Sequence, residues 1–146
     1  MPSQGFAFWS QASKLKAEFQ GRPGPELAEL SKRGIELSDR TERLELAISG
    51  DTRIELIERE EQVRKARALL FECTFLDERV SVEKARHTGH THLDEIVERA
   101  DLFENEVVGL YHFSSRYSDA QIDALLDAKL PPALRSRVVA LHPPRG

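Results

Sequence analysis

Two apolar runs in this chain end in side chains that can bind a metal ion or transfer a proton. Leu110-Tyr-His-Phe-Ser-Ser-Arg-Tyr-Ser118 ends such a run at His112 and then opens into hydroxyls and an arginine. Ser49-Gly-Asp-Thr-Arg53 follows a second apolar run and presents Asp51 in a turn. Both patterns predict buried strands that deliver these side chains at their carboxyl ends, where loops position chemistry. Because turns favour aspartate for ordinary backbone reasons, neither pattern alone predicts a site.

Two further residues strengthen the prediction of a site. Glu72 lies at the end of a third apolar run, and His90 lies between a glycine and a threonine. Because the carboxyl ends of neighbouring parallel strands meet at one edge of a sheet, we expect these residues to join Asp51 and His112 in one cleft. A carboxylate can bridge two divalent cations, and a neutral imidazole is a good zinc ligand. A histidine held by a partner can act as a general acid.

The alternation of strand and helix patterns predicts a single α/β domain over residues 1–146. Strands are predicted at residues 5–9, 44–48, 68–71, 107–111 and 138–141. Helices are predicted at 26–33 before Gly34, at 55–66 as one helix or two, from Ser81, from a Thr91 cap to about residue 103, and from a Ser118–Gln121 capping box to Lys129. We expect strands 44–48, 68–71 and 107–111 to share one sheet.

The composition excludes several classes of protein. The chain has 146 residues, 40% hydrophobic and 32% charged, which suits a globular protein. One cysteine excludes an internal disulfide and fits a reducing compartment. No apolar run reaches the roughly 18 residues of a membrane span, and the amino terminus has no signal-peptide pattern, so we expect a cytoplasmic protein without a membrane partner. The net charge of −4 argues against a generally basic nucleic-acid binder but does not exclude an RNA enzyme.

Four motifs resemble, in order and at similar spacing, the later motifs of ribonuclease Z, the tRNA 3′-processing endonuclease of the metallo-β-lactamase superfamily. They are Ser49-Gly-Asp-Thr52, Phe71-Glu-Cys-Thr-Phe75, Gly89-His-Thr91 and His112-Phe-Ser-Ser-Arg-Tyr-Ser118. Pro2-Ser-Gln-Gly-Phe6 and Gly21-Arg-Pro-Gly-Pro25 also look like segments of that family, so the resemblance covers nearly the whole chain. It implies an α/β fold: half of a metallo-β-lactamase-type αββα sandwich, with a mixed sheet flanked by helices.

The resemblance also implies roles for the candidate residues. Asp51 would bridge two zinc ions and His112 would bind one of them, while His90 would protonate the departing ribose oxygen of a tRNA precursor. Glu72 would be the partner of His90. Independently of the resemblance, Arg116 beside Ser114 can hold a phosphate oxygen, or it can clamp a carboxylate to fix the loop. Both alternatives stay open.

The chain begins after the family's His-x-His-x-Asp-His motif and a further metal-binding histidine. We therefore expect it to represent the carboxyl-terminal half of such an enzyme, to be incomplete alone, and to pair with a missing amino-terminal half or with its own copies. One alternative is a truncated or split half that acts only as a structural or interaction partner. Another is a different hydrolase of the superfamily, because Phe71 replaces the leading histidine of His-Glu-Ala-Thr and the His-Ser-Thr motif reads His-Thr-His, ending at His92.

His90-Thr-His-Leu-Asp-Glu95 superficially matches the superfamily's first metal motif. It lies after the Gly-Asp-Thr turn rather than before it, which favours its assignment to the loop that carries the general acid. The other candidate residues are expected to be structural: His92 facing solvent in a first helical turn, His87 and His142 on the surface, Cys73 as a small buried hydrophobe, and Trp9 and the phenylalanines in the core.

Overall fold

A computed structural model describes residues 3–143 of the chain. The chain divides into two compact units, one formed by Trp9–Arg43 and the other by the residues up to Phe8 together with those from Leu44 onwards. The single domain over residues 1–146 stays a prediction. Residues 1–2 and 144–146 lie outside the described residues, and they include Pro2 of the Pro2–Phe6 segment.

The elements alternate as an α/β fold. The strands are β1 (Phe6–Leu15), β2 (Ser38–Ile48), β3 (Ala68–Glu72), β4 (Val107–Tyr111) and β5 (Val138–Ala140). The helices are α1 (Gly24–Lys32), α2 (Glu55–Arg59), α3 (Glu61–Lys65), α4 (Val82–Thr88), α5 (Leu93–Glu98), α6 (Asp119–Lys129) and α7 (Pro132–Arg135). Short 3-10 turns lie at Ala17–Phe19 and Ala100–Leu102. Among residues 3–143, no helix is both long and apolar enough to cross a membrane.

One five-stranded mixed sheet has the order β1-β2-β3-β4-β5. Strands β2 to β5 are parallel, with Ile48 opposite Leu70, Leu70 opposite Gly109, and Gly109 opposite Val139. The prediction that β2, β3 and β4 share a sheet is confirmed. Because the order β2-β3-β4-β5 runs in one direction and crossovers between parallel strands are right-handed, the helices that connect β2 to β5 all fall on one face of this sheet.

The two faces of the sheet differ in burial. Alternation along the strands places Ala47, Leu69, Val108 and Val138 on the face that the helices cover, and all four are buried. The core continues into the helices through these fully buried residues: Ile54, Ile57, Leu93, Ile96, Ile122, Leu126 and Leu134. This packing anchors α2, α5, α6 and α7 against one side of the sheet.

The opposite face is apolar but open. It carries Leu46, Ile48, Leu70, Val107, Val139 and Leu141. Val107, Val139 and Leu141 are 46%, 50% and 41% exposed, so no described segment covers this edge of the face. A side chain at Gly109 would meet Leu70 at 2.5 Å and Leu141 at 3.2 Å, which shows that these two leucines close over the glycine. We call this surface the open face.

The unit formed by Trp9–Arg43 contains the outer parts of β1 and β2. Their pairing is antiparallel, because Gln11 contacts Glu42 at 2.8 Å while Lys16 N–H donates to Leu37 O at 2.9 Å, further along the hairpin. Almost every residue of this part of β1 and β2 is exposed. Such a solvated hairpin has no alternating apolar signature, so the predicted strands 5–9 and 44–48 were too short.

Several local predictions are confirmed and others are wrong. β4 and α6 match their predicted bounds, and Ser118 and Gln121 form the capping box. The predicted helix from Thr91 to about 103 is wrong at both ends: α5 starts at Leu93 with His92 as its N-cap, and it ends at Glu98 before a separate 3-10 turn. Phe71 and four other phenylalanines are buried, whereas Phe6, Phe8 and Trp9 are more than half exposed and are not core residues.

Candidate active site

Three strands deliver the predicted residues to one edge of the sheet. Asp51 follows β2, Glu72 ends β3 and His112 follows β4, while His90 comes from the loop between α4 and α5. One ligand atom from each of Asp51, His90 and His112 lies within 4.8 Å of the other two. The prediction that Asp51, His90 and His112 lie close together is therefore confirmed.

The Asp51 and His112 side chains approach directly. Asp51 Oδ1 lies 3.6 Å from His112 Nε2, and these side chains are 56% and 42% exposed. The His90 and His112 rings are stacked, with their centroids 5.2 Å apart and their planes 27° from parallel. A carboxylate oxygen and imidazole nitrogens thus meet at a solvent-accessible point, and such a set of donors can bind a divalent metal ion.

Glu72 is the buried centre of the site. Its side chain is fully buried, yet it accepts hydrogen bonds at both oxygens. Thr91 N–H donates to Oε1 at 2.8 Å, and His90 Nδ1 lies 3.2 Å from the same atom. Thr74 Oγ1 donates to Oε2 at 2.8 Å. The predicted pairing of Glu72 with His90 is present.

The environment of Glu72 acts on its protonation in two directions. Burial raises the pKa of this carboxyl above its ordinary value, because water no longer stabilises the charge. Hydrogen bonds from Thr74 and Thr91, and the charge on His90, oppose that rise. A carboxylate that accepts from His90 can stabilise the imidazolium, which is what a general acid requires of its partner.

His112 has an unusual backbone. It is the only residue other than glycine with a positive φ among residues 3–143, at 65°. Left-handed backbone is unfavourable for residues with a Cβ and clusters at functional sites. The Cys73 N–H donates to Tyr111 O at 2.9 Å, and Ser114 N–H donates to Thr74 O at 3.0 Å. The segment after β3 therefore holds the chain on both sides of His112 and keeps it in this conformation.

The predicted phosphate-binding residues lie on the same loop. Arg116 is exposed, and its Nη1 lies 3.4 Å from Ser114 Oγ. The centroid of the Phe75 ring lies 6.0 Å from the Arg116 guanidinium and 6.2 Å from the His90 ring centroid, so Phe75 contacts both side chains. Within residues 3–143, Arg116 has no carboxylate within 4.0 Å, so the alternative of a carboxylate clamp is not formed there.

The structure corrects the prediction for His92. This side chain is 1% exposed rather than solvent-facing. Its Nδ1 accepts from Asp94 N–H at 3.0 Å, and its Nε2 lies 3.1 Å from Asp77 O. Glu95 completes the capping box by accepting from the His92 N–H at 3.0 Å. His92 is thus an interior cap of α5, and the sequence signal that identifies it is the glutamate three residues later.

The remaining predictions concern residues outside the cluster. His87 is exposed as expected, and His142 is partly exposed, with Nε2 3.2 Å from Asp123. Cys73 is fully buried, and burial raises the pKa of its thiol well above the ordinary value, so it behaves as a small hydrophobe. Sequence reasoning missed the role of Thr74, although its place two residues after Glu72 in the same motif was a signal.

Comparison with known proteins agrees with the motif resemblance. The chain is 43% identical over 141 residues to tRNase Z TRZ1 of Arabidopsis thaliana, a match that covers 95% of this chain and 50% of the relative. It is 37% identical over 144 residues to the chloroplastic tRNase Z TRZ2 of the same plant, covering 97% of this chain and 40% of the relative. The chain is therefore similar to about half of a tRNase Z.

The homologous region is the carboxyl-terminal half of these tRNase Z proteins. The chain spans about half the length of the curated relatives it matches. No protein-family model matches the chain. The resemblance to ribonuclease Z is confirmed, while the individual roles of Asp51, Glu72, His90 and His112 stay predictions.

Proposed function

We propose that this chain supplies one half of a zinc-dependent endoribonuclease of the tRNase Z type, which cleaves tRNA precursors at their 3′ ends. The names of the relatives support the substrate, and their greater length supports a site completed by a second half. The observation that carries the proposal is the meeting of Asp51, His90 and His112 at the carboxyl edge of the parallel strands.

Asp51 and His112 fit the expected metal. A carboxylate and an imidazole are zinc donors, and both are exposed where a cation can reach them. Bound zinc would supply Lewis-acid chemistry to a phosphodiester. Because a catalytic zinc normally has three protein ligands, these two residues need further donors, which we assign to the complementary half.

His90 and Glu72 provide the proton for the leaving oxygen. His90 Nδ1 faces Glu72 at 3.2 Å, which leaves the other ring nitrogen, Nε2, to carry a proton to the ribose oxygen. The buried carboxylate stabilises the protonated ring until that proton leaves. Ser114 and Arg116 would hold the phosphate: the guanidinium offers paired N–H donors, and its exposure leaves them accessible.

The open face supports half of an αββα sandwich. Two sheets of a sandwich pack their apolar faces together, and a single sheet with helices on one side exposes the other. Val107, Val139 and Leu141 are exposed on that side. We infer that the complementary half of the enzyme, with its own sheet and metal ligands, covers this surface.

Phe71 and His92, the two positions that depart from the motifs of ribonuclease Z, give no reason to expect a different substrate. Phe71 is fully buried and packs edge-on against Phe103, with ring centroids 5.8 Å apart. His92 is buried as the cap of α5. Because neither side chain reaches the surface of the cleft, these replacements act on the interior rather than on the groups that a substrate would touch.

The test combines this chain with the amino-terminal half of a tRNase Z relative, fused upstream or added as a second chain. Alone, the chain should bind zinc weakly and cleave neither precursor tRNA nor a chromogenic phosphodiester. The combination should show metal-dependent cleavage. Asp51→Ala should remove zinc loading and cleavage together, whereas His90→Ala should retain zinc and lower the single-turnover rate by about 10²–10⁴.

Asp101→Ala is the matched control, because it removes an exposed aspartate from the turn after α5. It should change neither zinc content nor rate. Efficient turnover by the isolated chain would contradict the account of missing ligands. Cleavage by the combination that is unaffected by Asp51→Ala would remove the catalytic proposal and favour a chain that acts only as a structural partner.

A further inference from the structure

We propose that Thr74 is a positioning residue that connects Glu72 to His112 and fixes which nitrogen of the His112 ring is protonated. Thr74 Oγ1 donates to Glu72 Oε2 at 2.8 Å, and the same oxygen lies 2.8 Å from His112 Nδ1. A hydroxyl has one proton to donate. Because Thr74 gives that proton to Glu72, its contact with the ring must be an Nδ1–H of His112 donating to Oγ1.

The direction of this chain of bonds depends on Glu72 being ionised. Its Oε1 accepts from two backbone amides, Thr91 N–H at 2.8 Å and Thr52 N–H at 3.3 Å. His90 Nδ1 lies 3.2 Å from the same oxygen, and hydrogen bonds that converge on a carboxyl group favour its ionised form. An ionised Glu72 has no proton for Thr74, and the bonds therefore run from His112 through Thr74 to Glu72.

The consequence is a defined lone pair on His112. With the proton on Nδ1, Nε2 is free, and this is the atom 3.6 Å from Asp51 Oδ1. His90 also faces Glu72 through its own Nδ1. A single buried carboxylate thus orients both histidines, one directly and one through a threonine hydroxyl. Histidines that bind metals usually donate their second ring N–H to such a partner, which fixes the tautomer and raises the affinity of the site.

Substitutions at Thr74 separate the hydroxyl from the shape of the side chain. Thr74→Val keeps the branched shape and removes the hydroxyl, while Thr74→Ser keeps the hydroxyl. Thr41→Val is the control, because Thr41 is exposed and its hydroxyl donates to Ala12 O at 3.4 Å, within the hairpin. Circular dichroism would compare the folds of the three variants.

The first measurement does not depend on a metal. The chain has five histidines, and nitrogen NMR of histidine-labelled protein shows which nitrogen of each ring is protonated. His112→Gln would assign the signal, and magic-angle spinning would be used if the chain associates. We expect Nδ1–H in the unaltered chain and in Thr74→Ser, and a mixture of tautomers in Thr74→Val. An Nε2–H ring in the unaltered chain, or an unchanged ring in a folded Thr74→Val, would overturn the inference.

The second measurement rests on the proposed function, because it needs zinc to bind at Asp51 and His112. Competition with a chromophoric chelator should show that Thr74→Val weakens zinc binding by about 10–100-fold, while Thr74→Ser and Thr41→Val do not. Equal affinities in Thr74→Val and the unaltered chain would overturn the metal part of the inference. A chain that binds no zinc but has the expected tautomers would contradict the proposed function and leave the positioning role of Thr74 standing.

Discussion

Gly50 and His112 both have a φ of 65°. Gly50 directly precedes Asp51, whose carboxylate meets the His112 ring. For His112 the strained backbone carries a side chain of the cluster formed by Asp51, His90 and His112. At Gly50 a side chain is excluded by lack of space as well as by the backbone angle, because a Cβ there would lie 2.4 Å from Gln4 O and 2.7 Å from Ser3 Oγ. The turn that presents Asp51 can therefore accept no side chain at Gly50.

Gly50→Ala should destabilise the protein and displace Asp51. The left-handed angle alone costs a residue with a Cβ about 1–2 kcal/mol, and contact with a backbone oxygen adds to this. We expect a lower midpoint of chemical denaturation and weaker zinc binding than in the unaltered chain. Denaturant titration followed by circular dichroism measures the first, and chelator competition measures the second.

Gly34→Ala is the control for this prediction. Gly34 also has a positive φ, of 79°, but a Cβ there meets no atom within 4 Å. It should show only the cost of the backbone angle and leave zinc binding unchanged. Equal destabilisation by the two substitutions would show that crowding at Gly50 is unimportant.

At the residue level, the sequence predicts groups whose position follows from a strand end. Asp51 and His112 are predicted because each follows an apolar run, and the sheet then brings them together. Thr74 and His92 are not predicted, because their roles depend on distant partners. Thr74 contacts His112, 38 residues away, and His92 contacts the Asp77 carbonyl, 15 residues away.

At the level of helices and strands, elements with local sequence signals are again predicted better than those that depend on distant partners. β4 and α6 are predicted correctly because their signals are local: an apolar run and a capping box. The outer part of β2 was missed because its residues 39–43 are exposed, and only pairing with β1 makes them a strand. The burial of one sheet face and the openness of the other also follow from topology rather than from any short pattern.

The loop after β3 is held to the loop after β4 by Asp77. The Asp77 carboxylate accepts from the Arg79 side chain at 2.9 to 3.1 Å and from Tyr117 O–H at 3.2 Å. The Arg79 guanidinium lies over the Tyr117 ring, 4.4 Å from its centroid, and Leu76 N–H donates to the Tyr117 oxygen at 3.0 Å. This cluster fixes the base of the loop that carries Ser114 and Arg116.

Asp77→Asn should lower stability in a pH-dependent way. Hydrogen bonds from Arg79 hold the pKa of Asp77 below its ordinary value, against the opposing effect of burial. The ionised group therefore stabilises the fold above its unfolded pKa of about 4, and this contribution is lost as the pH falls through the lower folded value. Thermal melts should show a lower Tm for Asp77→Asn at pH 7 and a smaller difference near pH 3.

Asp101→Asn provides the matched control, because it neutralises an exposed aspartate outside the cluster. Its Tm should stay close to that of the unaltered chain at both pH values. A deficit in Asp77→Asn that is as large near pH 3 as at pH 7 would show that the ionised carboxylate does not stabilise these loops.

At the level of the whole molecule, the one-directional strand order explains the open face. Each right-handed crossover from β2 to β5 adds its helices to the same side, so the other side receives none. The exposed edge of that face carries Val107, Val139 and Leu141, and contiguous apolar patches drive association. The relatives, which are at least twice as long as the matched region, have further chain that would be available to cover such a surface.

Without a complementary half, the 146-residue chain should associate through the open face. Sedimentation velocity should show a species that grows with protein concentration. Val139→Glu places a charge on the exposed edge of the open face, opposite Gly109, and desolvating that charge would oppose association, so the monomer fraction should rise. Ala120→Glu adds the same charge on the exposed surface of α6 and should leave association unchanged. A compact monomer at every concentration, unfolding cooperatively, would contradict this prediction, because the apolar face would then need no partner to remain stable in water.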